Sequence, residues 1–198
     1  MKKASLLIQE IQTHKYNSIF KDVYVDEHLL SYQKERYVQA IEKFISLYGD
    51  QEVEIYSTPG RSEVCGNHTD HQHGEVLAAA INLDIIAVVA PTKETIKVLS
   101  DDYDIQGVNI KDLEKRDQEV ESSEGLIRGV CARYQQLGYK IGGFNAYMTS
   151  DVLQGSGLSS SAAFEVVVGT ILSGLYNNMS INPVTIAQVG QYSENVYF

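Results

Sequence analysis

Residues 155–162 read Gly155-Ser156-Gly157-Leu158-Ser159-Ser160-Ser161-Ala162, and an apolar run from Ala163 to Leu172 follows at once. The pattern predicts a glycine-rich turn that leads into the N-terminus of a buried helix. Free backbone N–H groups at a helix start favour an anion, and glycines let the backbone approach it closely. The serine hydroxyls add donors, or a ligand for a metal ion that accompanies phosphate. We therefore predict a phosphate-binding loop here.

A simpler interpretation covers part of the same pattern. Serine is a favoured N-cap, so one of Ser159, Ser160 and Ser161 could merely cap the helix. Three serines behind G-x-G are more than a cap needs. The run is not a Walker A motif, because no lysine follows the last glycine, and it lacks the third glycine of a dinucleotide fingerprint. From the local chemistry, both interpretations stay open.

Composition limits the classes of function. The 198 residues include 26 acids and 16 bases, which gives a net charge of −10. This charge argues against a nucleic-acid partner. The apolar stretch near the start is broken by Gln9 and Glu10, so we predict neither a signal peptide nor a membrane span. Cys65 and Cys131 form no disulfide framework or zinc spacing and suit a reducing, cytoplasmic location.

Periodicity predicts a mixture of helices and strands. Thr58-Pro59-Gly60 is expected to be a turn, and residues 101–124 are expected to be surface connections. The elements do not alternate strictly, which favours an α+β fold, or a sheet with helices on one face. The expected helices cover residues 5–14, 29–48, 126–137, 160–176 and from 183 onward, and the expected strands cover 53–56, 96–99, 143–148 and, as buried strands, 76–80 and 85–90.

Residues 60–74 form a second dense cluster of polar side chains and glycines. Asp70 and His68 could hold hydroxyl groups of a sugar-like ligand. Arg61 could stabilise charge on a transferred phosphoryl group, or could form a surface ion pair with Glu63 or Glu75. Two further alternatives are a solvated loop and a metal site built from His68, Asp70, His71 and His73, although no common zinc pattern has this spacing.

Three stretches together resemble the amino-terminal part of a galactokinase, within the superfamily of galacto-, homoserine, mevalonate and phosphomevalonate (GHMP) kinases. Residues 58–74 resemble the signature P-G-R-x-N-x-x-G-E-H-T-D-Y-N-x-G. Residues 126–130 resemble the helix ahead of the nucleotide loop, and residues 155–162 resemble the phosphate loop G-x-G-L-S-S-S-A. The order and spacing hold from about residue 55 to residue 198.

The resemblance implies an ATP- and magnesium-dependent kinase acting on the 1-hydroxyl of galactose. It implies an α+β domain of the ribosomal protein S5 domain 2-like type over residues 51–198, with residues 1–50 as a helical extension packed on it. Arg61 matches the catalytic arginine, and His68 and Asp70 match sugar-binding residues, with Asn67 at a third such position. Residues 155–161 match the loop around the ATP phosphates, and Ser161 and Glu194 match the magnesium ligands.

Several positions depart from the family pattern. Asn67 replaces a glutamate and Glu63 replaces an asparagine, His71-Gln72 replaces tyrosine-asparagine, and Leu153 replaces a proline. These changes leave open a non-catalytic sugar or ATP sensor, or a kinase for another sugar.

The chain ends on Val196-Tyr197-Phe198 without a cap or polar tail. We interpret this end as a truncation, although residues 194–198 also resemble a protease-tag site. The family's catalytic aspartate and carboxy-terminal domain lie beyond Phe198, so we expect this fragment to be inactive without that domain as its partner.

Overall fold

The computed structural model describes residues 1–66, 74–100, 104–153 and 157–198. Asn67, His68, Asp70, Gly155 and Ser156, which the sequence selects as site residues, lie outside these ranges, as do His71 and His73 of the alternative metal site. The helices are α1 (Ala4–Gln12), α2 (Asn17–Tyr24), α3 (Leu30–Tyr48), α4 (Ser123–Gln136), α5 (Ser160–Asn177) and α6 (Pro183–Tyr197). The strands are β1 (Lys2–Lys3), β2 (Glu52–Cys65), β3 (Leu77–Thr92), β4 (Thr95–Leu99), β5 (Asp104–Asn109) and β6 (Gly143–Ser150).

The strands of the described residues form one mixed sheet in the order β1-β2-β3-β6-β4-β5. All neighbours are antiparallel except β4 and β6, which run parallel. The central strand β3 buries both of its faces: Ile85, Ala87 and Val89 pack into one hydrophobic cluster, and Ile86 and Val88 pack into another. Because successive side chains of a strand point to opposite faces, the continuous apolar run of β3 places the sheet between two layers.

Helices cover both faces of this sheet. Helices α4, α5 and α6 contribute to the cluster on one face, and α1, α2 and α3 contribute to the cluster on the other. The predicted α+β class with a mixed sheet is confirmed, and the alternative with helices on one face is wrong. The physical reason is that the stripe Ala40, Ile41 and Phe44 of α3 is fully buried against the sheet. The division between residues 1–50 and 51–198 stays a prediction.

Helices α4 and α6 approach each other closely at Gly129. A Cβ at this position would clash with the Ser193 Oγ and would lie 3.0 Å from the Ser193 Cα. The Ser193 hydroxyl donates a 2.7 Å hydrogen bond to the Leu126 carbonyl across the same contact. This contact fixes α6, and therefore Glu194, relative to α4.

The structure corrects three expectations about the strands. Thr58-Pro59-Gly60 is not a turn, because β2 continues through it with a register shift between Pro59 and Arg61. Within the described residues, β1 pairs with Glu52 and Val53 and no strand lies beside Pro59 on the outer side of β2, so the missing N–H of this proline is tolerated.

Residues 76–80 are not a separate buried strand. Residues 77–80 are the exposed start of β3, which continues to Thr92. The interval expected to hold only surface connections contains β5, whose Ile105 and Val108 are buried. Helix α2 was not predicted.

Candidate functional site

The described part of the glycine-serine loop makes two sharp backbone turns before α5. Gly157 has φ 76° and Ser159 has φ 58° with ψ 59°, both in the left-handed region. Ser159 is the N-cap residue of α5, but its side chain makes no capping hydrogen bond. The simple capping interpretation therefore does not account for this serine. Holding the backbone of a serine in the left-handed region costs roughly 1 kcal/mol or more of free energy. Such strained backbone conformations are typical of functional loops.

Strand β2 holds the loop in place. The Arg61 backbone N–H donates a 3.1 Å hydrogen bond to the Leu158 carbonyl. A Cβ at Gly60 would lie 3.0 Å from the same carbonyl oxygen and 3.1 Å from the Val152 methyl carbons, so this glycine permits the close approach. The buried Thr58 hydroxyl donates a 2.9 Å hydrogen bond to the Ala163 carbonyl in the first turn of α5. These contacts at Thr58, Gly60 and Arg61 thus bring the Arg61 backbone next to the loop.

The structure also brings together the two residues that match magnesium ligands. Ser161 Oγ lies in the first turn of α5 and donates a 3.1 Å hydrogen bond to Glu194 Oε1 of α6. These side chains are 33 positions apart in the sequence. One carboxylate and one hydroxyl fit magnesium, which takes oxygen ligands and fills its remaining positions with phosphate oxygens and water. Among the described residues, no three His, Cys, Asp or Glu side chains form a cluster that could hold a metal ion.

Glu165 is a carboxyl group of this site that the sequence reasoning missed. It follows Ser161 by one helical turn, is only 2% exposed, and its Oε1 finds no hydrogen-bond partner among the described residues. Its Oε2 faces α6, where a Cβ at Gly190 would lie 3.0 Å away. Burial, and secondly the negative charge of Glu194, raise the pKa of the Glu165 carboxyl to about 8. A single glutamate inside the apolar run 163–172 is the signal that could have revealed it.

A cavity of about 600 Å³ opens beside the start of α5. This volume is within the range of small-molecule sites. Its wall combines apolar side chains from the sheet and helices with hydroxyl groups near the loop. Lining residues include Ile85, Val98, Ile105, Leu126, Met148 and Phe164 among the apolar ones, and Ser100, Ser123, Ser150, Ser160 and Ser161 among the polar ones. The cavity therefore offers an apolar compartment that is continuous with the first turn of α5.

Helix α4, which resembles the helix ahead of the nucleotide loop, is held by a buried arginine. Arg128 is 2% exposed and pairs with Glu119 through its Nε at 2.7 Å and its Nη2 at 2.8 Å. Its Nη1 donates to the Asp112 carbonyl. These contacts tie the connection after β5 to α4, which forms one wall of the cavity.

Within the described residues, no helix is both long and apolar enough to cross a membrane.

Two family models match the chain. The galactokinase galactose-binding signature matches residues 42–91, and the N-terminal domain of GHMP kinases matches residues 125–198. The first segment contains β2 with Arg61, and the second contains the glycine-serine loop, α5 and α6. The two models thus cover the elements that meet at the site.

Individual relatives give the same assignment. A galactokinase of Lactococcus lactis subsp. lactis (strain IL1403) is 33% identical over 162 residues, which are 79% of this chain and 40% of the relative. The crystal structure of Lactococcus lactis galactokinase complexed with galactose matches with a TM-score of 0.71 and 30% identity, covering 79% of this chain and 41% of that one.

A more distant neighbour shows the fold alone. The mevalonate kinase of Methanococcus jannaschii matches with a TM-score of 0.58 and 20% identity over 73% of this chain and 46% of that one. The chain spans about 40% of the length of the curated relatives. The chain therefore belongs to the galactokinase-like members of the GHMP kinase family and carries the amino-terminal portion of that fold.

Proposed function

We propose that this chain is the phosphate-binding, amino-terminal part of a sugar kinase that transfers the γ-phosphoryl group of ATP to the 1-hydroxyl of galactose. The observation that carries this proposal is the junction of β2, the loop, α5 and α6. There the Arg61 backbone binds Leu158, and Ser161 binds Glu194. The galactose in the crystal structure of the Lactococcus lactis relative supports galactose as the sugar.

Each described site residue has a role in this proposal. The backbone of residues 157–160 and the start of α5 offer N–H groups and the positive end of a helix dipole to the ATP phosphates. Gly155 and Ser156 belong to the same loop in the sequence. The cavity beside the loop accommodates the nucleoside. Ser161 and Glu194 would hold magnesium, which neutralises phosphate charge during transfer.

The remaining roles concern the transferred group and the sugar. Arg61 would stabilise the charge that develops on the γ-phosphoryl group. Asn67, His68 and Asp70 would hold hydroxyl groups of the sugar. The catalytic aspartate of the family pattern lies beyond Phe198, so we expect the 198-residue chain alone to bind its ligands without phosphorylating galactose. Its partner would then be the carboxy-terminal domain.

The free thiols of Cys65 and Cys131 support a cytoplasmic location.

A second candidate function is a galactokinase-like sensor that binds sugar or ATP without catalysis, or a kinase for a different sugar. The observation that favours it is the pair of departures Glu63 and Asn67, which replace the asparagine and the glutamate of the family signature. Asn67 can still hydrogen-bond a hydroxyl group, but as a neutral partner.

The test is a set of calorimetric titrations of the chain with MgATP, with ATP in chelator, and with a panel of sugars. We expect MgATP to bind more tightly than ATP without metal, and the difference to disappear in Ser161→Ala. The matched control is Ser46→Ala, which removes an exposed helical serine whose hydroxyl donates to the Lys43 carbonyl of its own helix. Absence of nucleotide binding would refute the kinase proposal.

Two further outcomes decide the finer assignments. Binding of another sugar of the panel in preference to galactose would refute galactose as the substrate. A coupled assay for ADP release tests the expected lack of turnover, and ATP-dependent phosphorylation of galactose by this chain alone would contradict it.

A further inference from the structure

Three side chains of α3 converge on one carboxylate at the start of the glycine-serine segment. Tyr32 Oη donates to Asp151 Oδ1 at 2.9 Å, and Gln33 Nε2 donates to Asp151 Oδ2 at 3.3 Å. Arg36 Nη1 forms an ion pair with Asp151 Oδ2 at 3.1 Å. Asp151 is the first residue after β6 and precedes the predicted phosphate loop. Helix α3 therefore holds Asp151, the residue at which the chain leaves β6 toward the loop.

The Arg36 end of this cluster is buried and continues into the sheet. Arg36 is 6% exposed and Asp84 is 3% exposed, and Arg36 Nη1 donates to Asp84 Oδ1 at 2.6 Å. Arg36 Nη2 donates to the carbonyls of Asp84 and Thr149 at 2.8 and 3.0 Å. The Asp151 backbone N–H donates to the Asp84 carbonyl at 2.9 Å. Both the side chain and the backbone of Asp151 are thus fixed to the same pair of residues.

The same cluster reaches the strand that carries Arg61. The Asp84 carboxylate accepts hydrogen bonds from Ser57 of β2 and, at 2.7 Å, from Tyr24 of α2. Val152, the residue after Asp151, is buried, and its methyl groups face Gly60 of β2. The cluster therefore sets the start of the loop and the segment of β2 leading to Arg61 relative to one another.

Resting on the kinase function proposed above, we propose that Tyr32, Gln33 and Arg36 are positioning residues of the phosphate site. They act through Asp151, and they fix where the loop leaves β6 relative to Arg61. A buried ion pair contributes little net stability compared with apolar packing, but it specifies geometry where several hydrogen bonds meet. The helices at the amino terminus thus contribute to nucleotide binding without contacting the nucleotide.

The test uses Tyr32→Phe and Asp151→Asn, because neither leaves a cavity. Tyr32 is 51% exposed, so the loss of its hydroxyl is compatible with folding. The matched control is Tyr16→Phe, which removes a tyrosine hydroxyl that also donates to a carboxylate, Glu10, but in a part-buried cluster with Lys2 that does not involve Asp151. We expect Asp151→Asn to weaken MgATP binding roughly threefold to tenfold, the range of one ordinary hydrogen bond, and Tyr32→Phe to weaken it less.

A second readout separates this inference from the proposed function. Hydrogen exchange of the backbone amides of residues 152–163 should accelerate in Asp151→Asn and in Tyr32→Phe, whereas it should be unchanged in Tyr16→Phe. This measurement needs no nucleotide, so it stands even if the wild-type chain does not bind MgATP. Unchanged exchange in this segment, or equal acceleration in the control, would overturn the positioning role, as would wild-type MgATP affinity in both test variants.

Discussion

Relative to that of the wild-type chain, the free energy of unfolding of Glu165→Gln should increase as the pH rises. In the wild-type chain this carboxyl is 2% exposed, and burial together with the charge of Glu194 raises its pKa from an ordinary value of 4.5 to about 8. The folded chain therefore holds a proton that the unfolded chain has already released between these two values. The contribution of this group to stability is fully present below pH 4.5 and is lost as the pH rises through 8.

The magnitude follows from the same two pKa values. Between pH 5 and pH 8, the linkage relation gives a loss of about 3 to 4 kcal/mol in the free energy of unfolding from this one group. The amide of Glu165→Gln has nearly the same shape and does not ionise over this range. The difference in free energy of unfolding, variant minus wild type, should therefore increase by about this amount from pH 5 to pH 8.

The assay is urea denaturation followed by circular dichroism at pH 5, 6, 7 and 8. Titration of groups that do not interact with Glu165 cancels in the difference between variant and wild type. The matched control is Glu42→Gln, which makes the same exchange at an exposed glutamate of α3. A difference for Glu165→Gln that changes with pH no more than that of the control would refute the assignment of a buried, protonated carboxyl.

Three further predictions concern the same site and the helix contact that supports it. Glu194→Gln removes the second cause of the raised pKa of Glu165, so it should move the pH dependence of unfolding to lower pH; an unmoved profile would contradict the coupling. Gly60→Ala places a Cβ 3.0 Å from the Leu158 carbonyl, so titration should show weaker MgATP binding with a small change in melting temperature, and unchanged affinity would argue against loop displacement. Gly129→Ala forces α4 away from Ser193 and should cost about 1 to 3 kcal/mol in urea denaturation; a neutral substitution would show that α6 moves freely.

The parts of the fold that were predicted correctly are those that local patterns determine. Helix α5 follows from the sequence because an apolar run with helical spacing comes directly after turn residues. The helix at α3 was recognised from the spacing of Ala40, Ile41 and Phe44. These features need no information from distant parts of the chain.

The parts that were missed depend on distant residues. Strand β3 was divided in two because Asp84 interrupts its apolar pattern, yet Asp84 is buried since Arg36, 48 positions earlier, neutralises it. The pairing of Ser161 with Glu194 could be expected from the family resemblance but not from any spacing. The burial of Glu165 depends on Gly190, whose missing side chain lets α6 pack against the carboxyl group.

The predicted phosphate loop connects two points that are held by helices on opposite faces of the sheet. Its start, at Asp151, is held by α3, which packs on one face, and its end, at Ser161, is held by α6, which packs on the other. Between these points, the Arg61 backbone binds Leu158. If the proposed phosphate site is correct, holding these described points in place reduces the conformational freedom that phosphate binding has to remove, which favours affinity.

This arrangement changes how residues 1–41 should be regarded. They precede both matched segments of the family models, which begin at residues 42 and 125. Yet this portion supplies Tyr32, Gln33 and Arg36, which hold Asp151 more than 110 positions later. Because loss of these contacts would release one end of the loop while leaving its sequence intact, the nucleotide affinity of the matched segments should depend on the helices that precede them.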